Sequence, residues 1–280
     1  MKKKIVYYND PLIDDFSGTK IKQKPLKDNF KYINRRPLWN LIAFFLYYFI
    51  AIPIAFVYCL FTFRFRYKNK KVLRKSFGKG YFLYCNHTQG VGDAFLPALT
   101  VYPKRNYILV NKDAVSIFGI KEVVLMLGGI PVASTLNNMK SMTACIKKRI
   151  KNKHVVTIYP EATIWPFNTK IRDFKPASFR YPVDLDAPVY ASTMTYRKRR
   201  GITRLFTSRP FSTIYIDGPF YPDKTLPPKE AMKKLRDEVY NAMCLRAHTK
   251  ENFEYIKYVK KDEQKILDEN KNIEINKTEN

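Results

Sequence analysis

The chain has 280 residues, enough for one large domain or a domain with an appendage, and its 46% apolar content is that of a globular protein. Four widely spaced cysteines, Cys59, Cys85, Cys145 and Cys244, form no CxxC pair, which argues against a disulfide frame or a zinc site and predicts reduced thiols in a cytosol-like compartment. A formal net charge of +27 requires an anionic partner, nucleic acid or anionic lipid, although part of the lysine excess follows a composition also rich in Asn, Ile and Tyr.

Residues 1–37 are basic and irregular, broken by Pro11, Gly18 and Pro25, and read as a loose arm. No signal-peptide pattern precedes the first apolar segment. Residues 38–63 carry no charge at all. As a straight helix this stretch would be ~39 Å long against a ~30 Å hydrocarbon core, so it reads as a membrane anchor. Pro53 predicts a kink or a pair of short helices, and basic residues on both flanks favour a re-entrant or interfacial anchor with both ends cytosolic. A buried helix of a soluble domain is the alternative. The anchor, together with the lack of a stacking-rich basic motif, favours lipid over nucleic acid as the anionic partner.

Residues 64–258 alternate short apolar runs with helical patterns. Tyr81–Cys85, Tyr107–Val110, Val155–Tyr159, Val189–Tyr196 and Ser212–Ile216 read as strands; Asp93–Val101, Val115–Leu127, Asn138–Lys151 and Pro227–Thr249 read as helices. This pattern predicts an α/β domain with a mixed, mainly parallel sheet flanked by helices, preceded by the hydrophobic anchor. Residues 259–280 are polar and predicted to be disordered. There is no P-loop, no dinucleotide glycine pattern and no metal-ligand cluster, so neither cofactor nor metal is expected.

Two strand ends carry candidate chemistry. The first is Asn86-His87, followed by a loop loosened by Gly90 and Gly92 that leads to Asp93. In one straight helix His87 and Asp93 would lie on different faces. With the intervening residues as a loop they can meet as general base and orienting carboxylate. Alternatively, Asp93 simply caps its helix and His87 is a hydrogen-bonded loop residue. The second is Tyr159-Pro160-Glu161-Ala162-Thr163, followed by Lys170, Arg172 and Lys175. Ligand sites gather at the carboxyl ends of parallel strands, and those cations can either hold a phosphate or form a solvated face.

These residues resemble the glycerolipid acyltransferases, typified by 1-acylglycerol-3-phosphate acyltransferase. Asn86, His87 and Asp93 are similar to that family's Asn-His-(x)-Asp motif, and Tyr159–Thr163 to its Phe-Pro-Glu-Gly-Thr-Arg-Ser block. Lys112 with Gly119, Gly128–Val132, Ala187-Pro188-Val189 and Ser212–Pro219 resemble the remaining blocks in order. The departures are an Asp one residue further from the His than usual, and Ala162, Ile164 and Trp165 in place of Gly, Arg and Ser. Ala133 or Ser134 also stands where an Arg is usual.

The resemblance implies transfer of a fatty acyl group from acyl-CoA or acyl carrier protein to a lysophospholipid hydroxyl, most simply 1-acylglycerol-3-phosphate to phosphatidic acid. The alternatives are another lysolipid or glycolipid acceptor, or a decayed membrane-binding protein. It also implies catalysis by His87 and Asp93, with Asn86, Lys112, Glu161, Thr163, Lys170, Arg172 and Lys175 as substrate contacts; Glu161 reads equally as the residue that holds a backbone turn. The protein would work on anionic membrane lipid with its catalytic domain on the cytoplasmic face, without nucleic acid.

Overall fold

The computed structural model describes residues 4–18, 25–116, 119–201 and 207–262. The strands are β1 Lys4–Tyr8, β2 Arg66–Lys68, β3 Tyr81–Cys85, β4 Asn106–Val110, β5 Gly129–Pro131, β6 Val155–Ile158, β7 Val189–Arg197, β8 Phe211–Phe220 and β9 Ile256–Lys260. The α-helices are α1 Pro37–Phe45, α2 Ile52–Phe63, α3 Gly90–Val101, α4 Ile120–Met126, α5 Leu136–Lys151, α6 Arg180–Leu185 and α7 Pro228–Ala247.

Seven strands form one sheet in the order β2-β8-β7-β3-β6-β4-β5. Every pairing in it is parallel except β7 with β8, so the expected mixed, mainly parallel α/β sheet is present. Central β3 is buried along its whole length, as a strand covered on both faces must be. Its alternation sends Phe82 and Tyr84 into a core with Ile146, Phe179 and Val239. Tyr81, Leu83 and Cys85 enter the opposite core with Cys59, Leu96 and Ile216. On the first face α7 buries Ala231, Leu235, Val239, Met243 and Ala247 at four-residue spacing, and α5 starts on a Thr135 cap whose hydroxyl accepts the Asn138 N–H.

The apolar segment is one continuous helix, Pro37–Phe63, and not a helix pair. The turn Leu46–Ala51 widens to π geometry just before Pro53, which accommodates the missing proline N–H without breaking the rod. Its Ala43, Tyr47, Ala55, Cys59 and Phe63 face the domain, while Phe49, Ile54 and Phe61 are 64%, 64% and 76% exposed. α1 packs beside α4 and α2 beside α3. The α2–α3 approach depends on Gly92, where a Cβ would sit 2.9 Å from the Phe63 ring.

The N-terminal arm differs from expectation. β1 pairs in parallel with β9, and Tyr8 and Phe16 pack on Trp165 beside Tyr258. A five-residue β-prone run finds its partner 248 or more residues later, a pairing that no local pattern announces. β9 carries order two residues past the expected start of the polar tail, to Lys260; most of that tail lies outside the described residues. In place of one helix over 115–127 there is a 3₁₀ turn, Lys112–Val115, and then α4.

Candidate active site

Because β3, β6 and β4 are parallel neighbours, the segments following them emerge at one edge of the sheet. Asn86 leaves β3 with both ends of its amide spent on the backbone of Met194 in β7: Nδ2 donates to the carbonyl at 3.0 Å and Oδ1 accepts the N–H at 2.7 Å. It anchors the strand end and is not a free substrate contact. Thr88 and Gln89 follow in a loop, and α3 begins at Gly90.

This geometry joins the expected pair. His87 Nδ1 lies 2.7 Å from Asp93 Oδ2. The same carboxylate oxygen accepts the Gln89 N–H at 2.8 Å, so Asp93 is both a cap of α3 and the partner of the imidazole. A carboxylate only accepts, so Nδ1 carries the proton and Nε2 carries the lone pair. Nε2 has no hydrogen-bond partner among the described residues, and the His87 side chain is 15% exposed. Burial pushes the Asp93 carboxyl above its ordinary value, opposed by the hydrogen bond and charge of His87 and by the Gln89 N–H.

A second layer fixes the ring. Tyr159, one residue beyond β6, stacks under His87 at 4.2 Å between centroids, and its hydroxyl donates to the Asp93 carbonyl at 2.7 Å. The His87 N–H donates to Glu161 Oε2 at 3.1 Å, and the His87 carbonyl accepts the Trp165 N–H at 3.1 Å. Tyr196 of β7 donates to Thr88 and accepts from Gln89 Nε2. Sequence reasoning placed Tyr159 in its block but gave it no task, and missed Gln89 and Tyr196. An aromatic at a strand end looks like core until its partners are known.

The remaining predicted contacts divide into two groups. Glu161 and Arg172 are both buried and paired at 3.1 Å. Oε1 of Glu161 also accepts the Arg172 N–H, and the guanidinium donates to the Pro11 carbonyl and to both the hydroxyl and carbonyl of Thr163. Burial raises the Glu161 carboxyl against the opposing pull of Arg172 and the two backbone N–H groups. Glu161, Thr163 and Arg172 are therefore turned inward and hold the 161–172 loop; Arg172 is not a free phosphate ligand. Lys170 and Lys175 are exposed and Lys112 is half-buried, and their ammonium groups have no partner among the described residues. Lys112 stands at the same sheet edge as His87, directly after β4 and Asn111.

The arrangement supplies an imidazole held rigidly by a buried carboxyl group, with its second ring nitrogen unpartnered among the described residues. Such a group can take a proton from a hydroxyl and return it to a leaving group. Residues 64–195 match the model of the Acyltransferase family. No curated protein matches the chain. Among solved structures it is similar to the crystal structure of the 1-acyl-sn-glycerophosphate (LPA) acyltransferase PlsC from Thermotoga maritima, at 15% identity and a TM-score of 0.47, covering 77% of this chain and 97% of that one.

Proposed function

We propose that this chain, whose residues 64–195 match the Acyltransferase family model, moves a fatty acyl group from an acyl thioester to the hydroxyl of a lysophospholipid. The single observation that carries this is the 2.7 Å contact between His87 Nδ1 and Asp93, which leaves Nε2 free as a base. In this mechanism Nε2 removes the acceptor hydroxyl proton as that oxygen attacks the thioester carbonyl. The tetrahedral adduct collapses, the C–S bond breaks, and the imidazolium returns the proton to the departing thiolate. Asp93 stabilises the transient imidazolium, the logic of a Ser-His-Asp triad with the acceptor alcohol as nucleophile. The acyl group passes directly from sulfur to oxygen, and coenzyme A or acyl carrier protein is the donor.

The helix Pro37–Phe63 is long and apolar enough to anchor to a membrane. One stripe along both its halves packs on the domain and the remaining apolar surface is exposed. This supports a helix lying in the interface over one leaflet more than one crossing it. Free buried thiols at Cys59, Cys85 and Cys145 support a cytoplasmic orientation.

The acceptor most consistent with the motifs is 1-acylglycerol-3-phosphate, its phosphate met by Lys112, with Lys170 and Lys175 as further cations. A different lysolipid is a second reading. It is favoured by Ile164 and the buried Trp165 standing where the motif has Arg and Ser, and by the inward-turned Arg172. A panel of lysolipid acceptors with labelled acyl-CoA and acyl carrier protein donors tests both, using wild type and His87→Ala. Turnover on no acceptor, or equal turnover by His87→Ala, would refute the proposal.

A further inference from the structure

A cavity of about 580 Å³ opens at the opposite end of the sheet from His87. It lies between the 3₁₀ turn Lys70–Ser76 and the carboxyl end of α3. Tyr81, at its floor, begins the strand that ends just before His87; six residues of extended chain at ~3.3 Å each separate the two by ~20 Å. The cavity is therefore distinct from the acyl-transfer site.

Its lining has two kinds of surface. Leu73, Val101 and the rings of Phe77, Tyr81 and Tyr102 make an apolar floor, and Lys70, Lys71, Arg74 and Lys104 surround it with no carboxylate among the lining residues. Two of these cations are built into the wall. Lys70 Nζ donates to the Leu99 carbonyl at 3.0 Å and lies 4.4 Å over the Tyr67 ring. Lys104 Nζ donates to the carbonyls of Phe77 and Lys79, each at 2.8 Å. Each ammonium keeps at least one donor beyond these bonds. Partial burial disfavours the charge of both lysines, so each is held in an environment that an anion would relieve. One rim is continuous with the apolar helix, since Tyr48 donates to the carbonyl of the lining residue Pro103.

We infer that this cavity binds the phosphate of an anionic amphiphile, a phospholipid headgroup, with the cations on the phosphate and the aromatic floor under the glycerol and first acyl carbons. A bare anion would use the cations but leave the apolar floor wet. A neutral lipid would cover the floor but leave four cations without a counter-charge. Only a ligand with both parts matches the lining. The site is independent of the acceptor named above, because binding here involves no residue of the catalytic edge.

The test is binding of a short-chain soluble lipid, dihexanoyl phosphatidylglycerol, to the full chain by calorimetry, with inorganic phosphate as a second ligand. The exposed pair is removed in Lys71→Gln/Arg74→Gln, which spares the wall bonds of Lys70 and Lys104. An equal charge is removed elsewhere in Lys147→Gln/Lys148→Gln, on the exposed side of α5. The expected result is affinity for the lipid lowered by ~10-fold or more in the first variant, the scale of one lost charge-assisted hydrogen bond, and nearly unchanged in the second. Thermal stability should remain at the wild-type level in both. Equal losses in the two variants would reduce the effect to diffuse surface charge and overturn the site, as would binding of inorganic phosphate as tight as that of the lipid, or no lipid binding at all. Because the readout is binding, it stands whether or not acyl transfer to any acceptor is found.

Discussion

Glu161 accepts the backbone N–H of His87 through the same oxygen that meets the Arg172 guanidinium. A residue 74 positions away in sequence thus sets the height of the His87 imidazole, and a buried cation opposes the rise that burial imposes on its carboxyl. Glu161→Gln weakens the acceptor for the His87 N–H and strands a buried guanidinium, a loss of roughly 3–5 kcal/mol for breaking one side of a buried pair. We expect a large fall in stability by urea unfolding and a lower kcat with little change in acceptor KM. Arg172→Met added to Glu161→Gln should recover part of the stability, because it removes the uncompensated charge. A raised acceptor KM with normal stability would instead make Glu161 a substrate contact.

Asp93 sets the tautomer of His87. With an amide at this position the side-chain nitrogen can donate to Nδ1, which moves the ring proton to Nε2 and removes the base. Asp93→Asn should therefore lose on the order of 10²–10⁴ in kcat, similar to His87→Ala. The amide nitrogen then stands where the oxygen accepted the Gln89 N–H, so the cap of α3 is lost as well and stability should fall by about 1 kcal/mol while the chain stays folded. A folded Asp93→Asn enzyme with more than a tenth of wild-type turnover would dissociate Asp93 from catalysis.

Much of this architecture is legible in the sequence where burial is total or periodicity long. β3 is an unbroken apolar run, β6 is interrupted only by Thr157, and α5 and α7 keep their apolar stripes over several turns. β5 is not legible, because Gly129 and Pro131 make it look like a turn, and β1 and β9 pair across the whole chain. In the site, Gly90 and Gly92 belong to the first turn of α3 and not to a loop; the turn at Asn86–Gln89, which carries no glycine, brings Asp93 back to His87. The assignment of Arg172 fails for a different reason. A cation in a polar stretch looks exposed until its carboxylate, Glu161, is known to be buried beside it. Asn86 fails likewise, since its partner is a backbone and carries no side-chain signature.

The arm is part of the site's support. Trp165 is 2% exposed, donates its indole N–H to the Asp14 carbonyl at 2.7 Å and, through its backbone N–H, holds the His87 carbonyl. Trp165→Ala should cost ~3–5 kcal/mol by removing a fully packed aromatic. Removal of residues 1–16 should lower kcat through the loosened 161–165 loop while leaving the sheet folded, as measured by circular dichroism alongside turnover. Unchanged turnover in the truncated chain would show the arm to be a covering only.

The exposed face of the long helix should hold the protein on lipid. Replacing Phe49, Ile54 and Phe61 together with Ser removes roughly 1.5–3 kcal/mol of apolar transfer at each position. Vesicle affinity in a sedimentation assay should then fall more than about a hundredfold. These side chains point away from the domain, so solubility without detergent should improve and the unfolding transition should persist. If the triple variant pellets with vesicles as wild type does, the anchor lies elsewhere.

His154 supplies a pH dependence whose sign is fixed by its surroundings. It lies just before β6, with its ring beside Tyr107. Burial first, and then the charges of Arg149, Arg105 and Lys104, push its pKa down to about 4 from the ordinary 6.5. Above pH 6.5 the imidazole is neutral in both the folded and unfolded chain, and the residue adds no pH dependence. Below that value the unfolded chain takes up a proton that the folded chain refuses until about pH 4, so stability is lost across this window as pH falls. One fully linked proton gives a slope of ~1.4 kcal/mol per pH unit, and solvent screening at a half-covered ring trims it. His154→Phe keeps a ring against Tyr107 and removes the proton. Urea unfolding at pH 7 and pH 5 should show the variant losing less stability on acidification than wild type. Equal losses in the two chains would place the acid sensitivity on other groups.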